Sequence, residues 1–238
     1  MAIKILKGFC RRVLSWKIIN DALGYVIVST DSGYSVYYND PERLKVLDLV
    51  KKIKGETEML LGDNEGYQLY MAVKSTSKID GDIAEVGTYM GGSAKIICEA
   101  RENDKYVYLF DTFNGLPELS NHDNNIHFQA GEFKSSLDYV ANYLKEYSNV
   151  FITKGLFPQT ADIIKNKKFS FVNLDVDLHE GTRDSLDFFY PRMSRGGVII
   201  SHDYISTPGV KKAFDEFFKD KPEPIIELSG SQCLIIKL

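Results

Sequence analysis

The chain has 238 residues, of which 44% are hydrophobic and 26% are charged, a composition that is typical of a folded globular protein and not of a disordered chain. Its formal net charge of −4 argues against a general affinity for nucleic acid. No apolar run is long enough to span a bilayer, and basic residues interrupt every apolar stretch near the start of the chain, so we expect neither a membrane span nor a signal peptide.

Residues 3–19 alternate apolar and basic side chains, which predicts an amphipathic helix. Such a helix can contact anionic lipid, but a short basic face binds membranes weakly, so we favour a helix on the protein surface or at a contact with a second subunit. Two β-rich runs around an Asp-Ser-Gly turn follow and predict a β-hairpin.

Two helices are predicted after the hairpin. The first has Asp40 as its cap and Pro41 in its first position, and a shorter one follows the loop at residues 61–66. We interpret residues 1–79 as an appendage that contacts substrate or a second subunit over the mouth of a main domain, residues 80–238.

Strands and helices alternate through the main domain, which predicts an α/β fold with a doubly wound, mostly parallel sheet of seven strands and helices on both faces. The predicted strands are residues 82–86, 106–110, 149–153, 169–175, 197–203, 224–228 and 232–238. Helices are predicted at residues 92–102, 135–147 with the capping pattern Ser135-x-x-Asp138, 182–190, and from Thr207-Pro208. Only three residues join the last two strands, so these form an antiparallel hairpin, a layout that resembles class I methyltransferases of the Rossmann-like type.

A glycine-rich turn joins the first predicted strand of this sheet to a helix, in the stretch DIAEVGTYMGGS at residues 82–93. Glycine lets the backbone approach a ligand closely, and the following helix points its free N–H groups at that ligand. The spacing differs from the dinucleotide fingerprint G-x-G-x-x-G. Acid-x-Gly-x-x-x-Gly, from Glu85 to Gly91, instead resembles the S-adenosylmethionine turn of Rossmann-like methyltransferases, and a turn without a ligand is the alternative.

Further candidates follow the second and third strands, because ligands of such folds sit at the carboxyl ends of the strands. Asp111 lies about 20 residues beyond the turn and can accept both ribose hydroxyls of a nucleoside. A turn or helix-cap aspartate is the alternative. Gly155, Leu156 and Phe157 can pack on an adenine face, although core packing explains the two apolar residues equally well.

The fourth and fifth strands end in acids, Asp175 and Asp177 on one and His202-Asp203 on the other. Carboxylates from neighbouring strands repel each other unless they share a proton or a cation. Asp175 or Asp177 together with Asp203 can hold a hard divalent ion such as Mg²⁺, and a substrate diol can complete its coordination. In the alternative interpretation these acids cap helices and bind backbone amides.

The chain from about residue 80 to residue 218 resembles the macrocin O-methyltransferase (TylF-type) family. The matching segments are EVGTYMGGS, DTFNGLPE, GEFKSSLDYV, KGLFPQT, LDVDLHEGTRDSLDFFYPRMSRGGVIISHDY and GVKKAFDEF. The resemblance implies a Mg²⁺-assisted O-methyltransferase that uses S-adenosylmethionine and acts on sugar hydroxyls of glycosylated natural products. The cofactor-binding residues it implies are Glu85, Gly87, Thr88, Tyr89, Gly91, Gly92, Ser93, Asp111, Thr112, Gly155 and Asp175, and the metal ligands are Asp175, Asp177 and Asp203.

The chain departs from the family pattern at the pair before Tyr204. This pair is His202-Asp203 here, and it resembles Asp-Asp in the macrolide enzymes. Histidine is a poorer Mg²⁺ ligand than carboxylate, so this change bears on metal affinity and on the acceptor.

A sugar hydroxyl is protonated at neutral pH, so methyl transfer needs a Lewis acid or a general base. The candidate catalytic residues are His127, Asp175 and His202. His127 ranks first as the base, because its loop lies between Asp111 and the next helix, and His122 and His179 are further candidates. A surface or packing role is the alternative for each histidine.

Two other functions stay open on the sequence: methylation of a catechol or another phenol, which needs less activation, and a noncatalytic partner subunit that keeps the fold. The expected partner is a small-molecule acceptor and not a nucleic acid. Three well-separated cysteines, Cys10, Cys98 and Cys233, show no metal or redox spacing and predict reduced thiols in the cytoplasm. The apolar N-terminal segment predicts a homodimer or larger homo-oligomer.

Overall fold

The computed structural model describes residues 25–30, 33–38, 40–123 and 128–238, so the predicted helix at residues 3–19 and Cys10 lie outside the described part of the chain. Strands β1 (Tyr25–Thr30) and β2 (Gly33–Tyr38) pair antiparallel, which confirms the predicted hairpin. None of the helices in the described ranges combines the length and the apolar character needed to cross a membrane.

Helices α1 (Pro41–Glu56) and α2 (Asp63–Ser75) follow the hairpin, and α2 begins inside the segment 61–66 that was predicted to be a loop. Asp40 caps α1, because its Oδ1 accepts a hydrogen bond from the Glu42 N–H at 3.0 Å. In α2 the Glu65 side chain reaches back and accepts from the Gly62 N–H at 2.7 Å, as in a capping box. Glu65 is buried.

A seven-stranded sheet forms the centre of the molecule in the order β5-β4-β3-β6-β7-β9-β8. Its strands are β3 (Asp82–Val86), β4 (Val107–Asp111), β5 (Val150–Lys154), β6 (Phe169–Leu174), β7 (Met193–Ser201), β8 (Ile226–Glu227) and β9 (Cys233–Ile236). Strands β3 to β7 pair in parallel, whereas β9 pairs antiparallel with both β7 and β8. The predicted doubly wound sheet with its antiparallel terminal hairpin is therefore confirmed.

Four helices lie along the sheet: α3 (Gly92–Ala100), α4 (Leu137–Tyr143), α5 (His179–Phe189) and α6 (Pro208–Phe218). Two apolar clusters result, and one of them contains the buried residues of α5 and α6. The other joins α3 to Val50 of α1 and Leu69 of α2. The helices α1 and α2 of the N-terminal segment thus share a hydrophobic core with the sheet. The division into an appendage at residues 1–79 and a methyltransferase domain at residues 80–238 stays a prediction.

The cap of α4 differs from the predicted one. Ser136, and not Ser135, is the N-cap, because its Oγ accepts from the Tyr139 N–H at 3.3 Å. The hydroxyl of Ser135 is buried without a hydrogen-bond partner among the described residues. The capping pattern selected Ser135, because Asp138 lies three residues after it, whereas Tyr139 lies three residues after Ser136, so the predicted cap was wrong by one residue.

Replacing the two serines separately tests this cap. We expect Ser136→Ala to lower the free energy of unfolding by about 1 kcal/mol, the usual value for loss of an N-cap hydroxyl. Ser135→Ala is the matched control and should be neutral or slightly stabilising, because it removes a buried hydroxyl without a partner. Urea unfolding of both variants measures the difference, and an equal loss in both would contradict the assignment.

Candidate active site

A cavity of about 290 Å³ opens at the carboxyl ends of the parallel strands. Its wall comes from the glycine turn after β3, the segments that follow β4, β5, β6 and β7, and the loop between α1 and α2. Of the residues predicted to bind the cofactor, those that line this cavity are Gly87, Thr88, Tyr89, Gly92, Ser93, Asp111, Thr112, Gly155 and Asp175. Ligands of open α/β sheets bind at this edge.

Gly87 and Gly91 give the turn its shape. Both have positive φ angles, +88° and +82°, in the left-handed region that favours glycine. A Cβ on Gly87 would lie 1.8 Å from the backbone oxygen of Asp175, which is shorter than any permitted contact. Glycine at this position therefore lets β3 and β6 end side by side at the cavity, and the N-terminus of α3 begins immediately beyond, at Gly92.

Glu85 lies beneath the turn and is fully buried. Its Oε1 accepts a hydrogen bond from Asn173 Nδ2 at 2.9 Å, while its Oε2 has no hydrogen-bond partner among the described residues. Burial raises the pKa of Glu85 to about 8, against the opposing effect of Asn173. Glu85 is not part of the cavity wall, so its predicted contact with the cofactor remains a prediction, and its visible role is to support the turn.

Asp111 binds the turn from the neighbouring strand. Its Oδ2 accepts from the N–H groups of Thr88 and Tyr89, both at 2.8 Å, and its Oδ1 accepts from the Phe113 N–H at 2.6 Å. Burial raises its pKa despite these three bonds. A carboxylate offers about four lone-pair positions, so this geometry leaves about one for a ribose hydroxyl, where the sequence predicted acceptance from two.

The third strand contributes mainly apolar contact. Phe157 is buried and stacks on Phe189 with ring centroids 5.1 Å apart, so it belongs largely to the core. Leu156 is exposed and lines the cavity. Three aromatic rings also line the cavity, and Phe133 contacts both Tyr89 and Phe128 edge-to-face.

Asp175, His202 and Asp203 meet at one end of the cavity, where each can offer a ligand atom within 4.8 Å of the others. His202 Nδ1 lies 2.6 Å from Asp203 Oδ2 and 3.2 Å from Asp175 Oδ1. Backbone pairing brings them together, because the Asp175 N–H donates to Val86 and the His202 N–H donates to Leu174, each directly after its strand. The structure thus groups the two predicted aspartates with His202.

Asp177, the third predicted metal ligand, lies beside this group and shares a hydrogen bond with Asp203. Burial and the charges of Asp175 and Asp203 raise the pKa of Asp177 well above its usual range, which favours the protonated form that can donate to Asp203. Its role as a metal ligand stays a prediction.

Glu65 is a residue that the sequence analysis did not single out. Its Oε2 lies 3.4 Å from His202 Nε2, and its Oε1 accepts from the N–H and the hydroxyl of Ser231 at 2.7 and 2.9 Å. Burial alone would raise the pKa of Glu65, but the hydrogen bonds from His202, Ser231 and Gly62 outweigh it and lower the pKa to about 2. The loop at residues 61–66 predicted that a helix follows, and no local pattern could reveal the contact with His202.

His202 is held by carboxylates on both sides of its ring. Burial disfavours the imidazolium, but Asp175, Asp203 and Glu65 together outweigh it and raise the pKa of His202. The other candidate bases contribute nothing to the described cavity wall: His179 is buried under α6, His122 stacks against His179, and His127 lies outside the described residues.

The sheet order, the terminal antiparallel hairpin and the glycine turn define the class I methyltransferase fold. A profile of the macrocin-O-methyltransferase (TylF) family matches residues 59–231, most of the chain, and the protein belongs to this family.

Its relatives include the demethyldecarbamoylnovobiocin O-methyltransferase of Streptomyces niveus, which is 27% identical over 155 residues covering 59% of each chain. The 8-demethyl-8-(2,3-dimethoxy-alpha-L-rhamnosyl)-tetracenomycin-C 4'-O-methyltransferase of Streptomyces olivaceus is 28% identical over 140 residues, 53% of this chain and 54% of its own. The chain thus spans less than two thirds of these relatives' lengths. Among solved structures, the O-methyltransferase NovP aligns with a TM-score of 0.66 and 24% identity, over 75% of this chain and 81% of NovP.

Proposed function

We propose that the protein transfers the methyl group of S-adenosylmethionine to a hydroxyl of a sugar or a glycosylated natural product, with help from a divalent cation. The observation that carries the proposal is that one cavity is lined both by the glycine turn and by Asp175, His202 and Asp203. A methyl donor at the turn and an acceptor hydroxyl at the acids would therefore be neighbours. The family, and a relative whose name specifies a rhamnosyl group, support a sugar acceptor.

The cavity wall fits the methyl donor in two respects. The glycine turn lines the cavity next to the N-terminus of α3, where free backbone N–H groups can face a nucleoside. The hydroxyl of Thr88 is buried and lines the cavity without a hydrogen-bond partner among the described residues, which suits a ligand that supplies one. Together with the remaining lone pair of Asp111, these groups would hold the nucleoside part.

The acids would hold the acceptor and its proton. An imidazole nitrogen and two carboxylate oxygens form a donor set that fits a divalent cation, with Asp175, His202 and Asp203 as its ligands. Such a cation, predicted from the sequence to be Mg²⁺, would lower the pKa of the acceptor hydroxyl as a Lewis acid. We propose that Asp175, which lines the cavity on the β6 side, orients the hydroxyl and accepts its proton.

His202 is poorly suited to be that proton acceptor. Both of its ring nitrogens face carboxylates, Nδ1 toward Asp175 and Asp203 and Nε2 toward Glu65. In the protonated form it has no lone pair to offer, and as a metal ligand its remaining nitrogen would still donate to Glu65. Its contribution is therefore to position charge at the acceptor end of the cavity.

A phenol acceptor is the second candidate, because three aromatic rings, those of Tyr89, Phe128 and Phe133, lie in the cavity wall. Flat rings of this kind can pack against a catechol as well as against a sugar face.

The expected cytoplasmic location and the homodimer or larger homo-oligomer stay predictions.

Incubation with methyl-labelled S-adenosylmethionine and a panel of glycosides and catechols tests the proposal. We expect label on a glycoside hydroxyl, detected by mass spectrometry, and a loss of labelling when a chelator is added. Label confined to catechols would favour the phenol alternative. Cofactor binding without any labelled acceptor would favour the noncatalytic alternative.

A further inference from the structure

The imidazole of His202 is placed as a ligand at the acid cluster. Its Nδ1 faces the oxygens of Asp175 and Asp203 at 3.2 and 2.6 Å. Ligands at about 2.1 Å from an octahedral ion are about 3 Å apart at adjacent positions. Both nitrogen–oxygen separations are therefore close to that of adjacent corners of one coordination shell, and all three ligand atoms lie within 4.8 Å of one another.

The opposite side of the ring has the partner that metal-binding histidines usually have. A ligating histidine almost always donates its second N–H to a carboxylate or carbonyl, which fixes the tautomer and the ring orientation. Here His202 Nε2 faces Glu65 Oε2 at 3.4 Å. Because Glu65 is buried and accepts from Gly62 and Ser231, it cannot swing away to solvent.

Such a donor set disfavours Mg²⁺. Magnesium prefers an oxygen octahedron and gives up its water reluctantly, whereas imidazole suits first-row transition ions. Manganese accepts carboxylate oxygens as readily as magnesium does, and it also accepts a nitrogen. One imidazole beside two aspartates therefore shifts the preference of the site without removing its oxygen ligands.

We infer that Asp175, Asp203 and His202 form a site selective for a divalent first-row transition ion such as Mn²⁺ over Mg²⁺, and that Glu65 is the positioning residue that orients His202. The inference rests on the proposed function, because it concerns the cation of that site.

Spectroscopy of the full chain with Mn²⁺ as the probe tests the first part directly. Spin-echo modulation of bound Mn²⁺ should show coupling to a directly bonded imidazole ¹⁴N. In a competition titration followed by the signal of free Mn²⁺, Mg²⁺ should displace Mn²⁺ only at more than about tenfold higher concentration. Both measurements use the unaltered protein, so they do not depend on whether a variant folds.

Two variants test the residues. His202→Asp should abolish the ¹⁴N coupling and reduce the preference for Mn²⁺ over Mg²⁺ by about tenfold or more. Glu65→Gln should weaken Mn²⁺ binding by about 10–100-fold, as is usual for the loss of a carboxylate behind a ligating histidine, and should change the ¹⁴N signal. Ser231→Ala is the matched control, because it removes a hydrogen bond to Glu65 but leaves the contact with His202. It should bind Mn²⁺ as the unaltered protein does.

Several outcomes would overturn the inference. Absence of ¹⁴N coupling, or equal competition by Mg²⁺, would show that His202 is not a ligand that selects the ion. Failure of both ions to bind would mean that a protonated His202 itself bridges the carboxylates in place of a cation. An equal loss in Glu65→Gln and Ser231→Ala would reduce Glu65 to a structural role. Methyl transfer is scored separately, so an active enzyme without ¹⁴N coupling refutes this inference alone, and a Mn²⁺ site without transfer refutes the proposed function alone.

Discussion

Gly87→Ala is expected to abolish binding of S-adenosylmethionine and to lower the free energy of unfolding by more than about 3 kcal/mol. The added methyl group would lie 1.8 Å from the Asp175 oxygen, and the backbone φ of +88° is strained for alanine. Either the turn or the end of β6 must move, and both line the cavity. Calorimetric titration with the cofactor and urea unfolding measure the two effects.

Gly131→Ala separates backbone strain from the steric overlap. Gly131 has nearly the same φ, +86°, but a methyl group there would meet nothing within 4 Å. It should therefore lose only about 1–2 kcal/mol and keep its cofactor affinity. Normal cofactor binding by Gly87→Ala, or a matching loss in Gly131→Ala, would contradict the importance of the close approach at Asp175.

Asp203→Asn is expected to lower the rate of methyl transfer by about 10³-fold or more while cofactor binding survives. Asparagine keeps the size of the side chain and tolerates the φ of +59° at this position, so the backbone should be preserved. Under the proposed function, the change removes a charge that would help to hold the cation and the acceptor hydroxyl, an effect worth several kcal/mol in the transition state. Single-turnover kinetics with labelled cofactor, alongside calorimetry, measures the two properties separately.

An exposed aspartate elsewhere provides the control for this variant. Asp187 pairs with Arg183 on the surface of α5, and Asp187→Asn should leave the transfer rate unchanged. Asp177→Asn should have a smaller effect than Asp203→Asn, because burial and the neighbouring acids raise the pKa of Asp177 and so disfavour its charged form. A loss of cofactor binding in Asp203→Asn would mean that the acids serve the nucleoside and not the acceptor.

The order and type of the strands could be predicted from the sequence because they depend on patterns within short segments of the chain. Each strand is a short apolar run, and Ser229-Gly230-Ser231 is too short to join anything but an antiparallel pair. Element ends were less accessible. Strand β7 begins at Met193, before the predicted start at Gly197, because pairing with β6 begins early and then shifts register. The predicted strand at residues 224–228 shortens to two residues at the sheet edge.

Most of the residues predicted to bind the cofactor line the cavity, but the contacts among the site residues could not be predicted. Strand ends show which side chains reach the cavity, and on that basis Asp175 and Asp203 were expected to be neighbours. The hydrogen bonds that Asp111 accepts from the Thr88 and Tyr89 amides join positions more than 20 residues apart. The contact of Glu65 with His202 joins positions 137 residues apart. Such contacts depend on how finished elements pack, and a single sequence shows no periodicity that reports them.

Glu65 also constrains the design of chimaeras between this protein and its relatives. A chimaera that exchanges the segment before β3 to acquire a different acceptor would also exchange the carboxylate facing His202 and the acceptor for the Ser231 amide. Such a chimaera should therefore retain α2 with Glu65 from the recipient protein. Alternatively, it should take His202 and the terminal turn from the donor together with the exchanged segment.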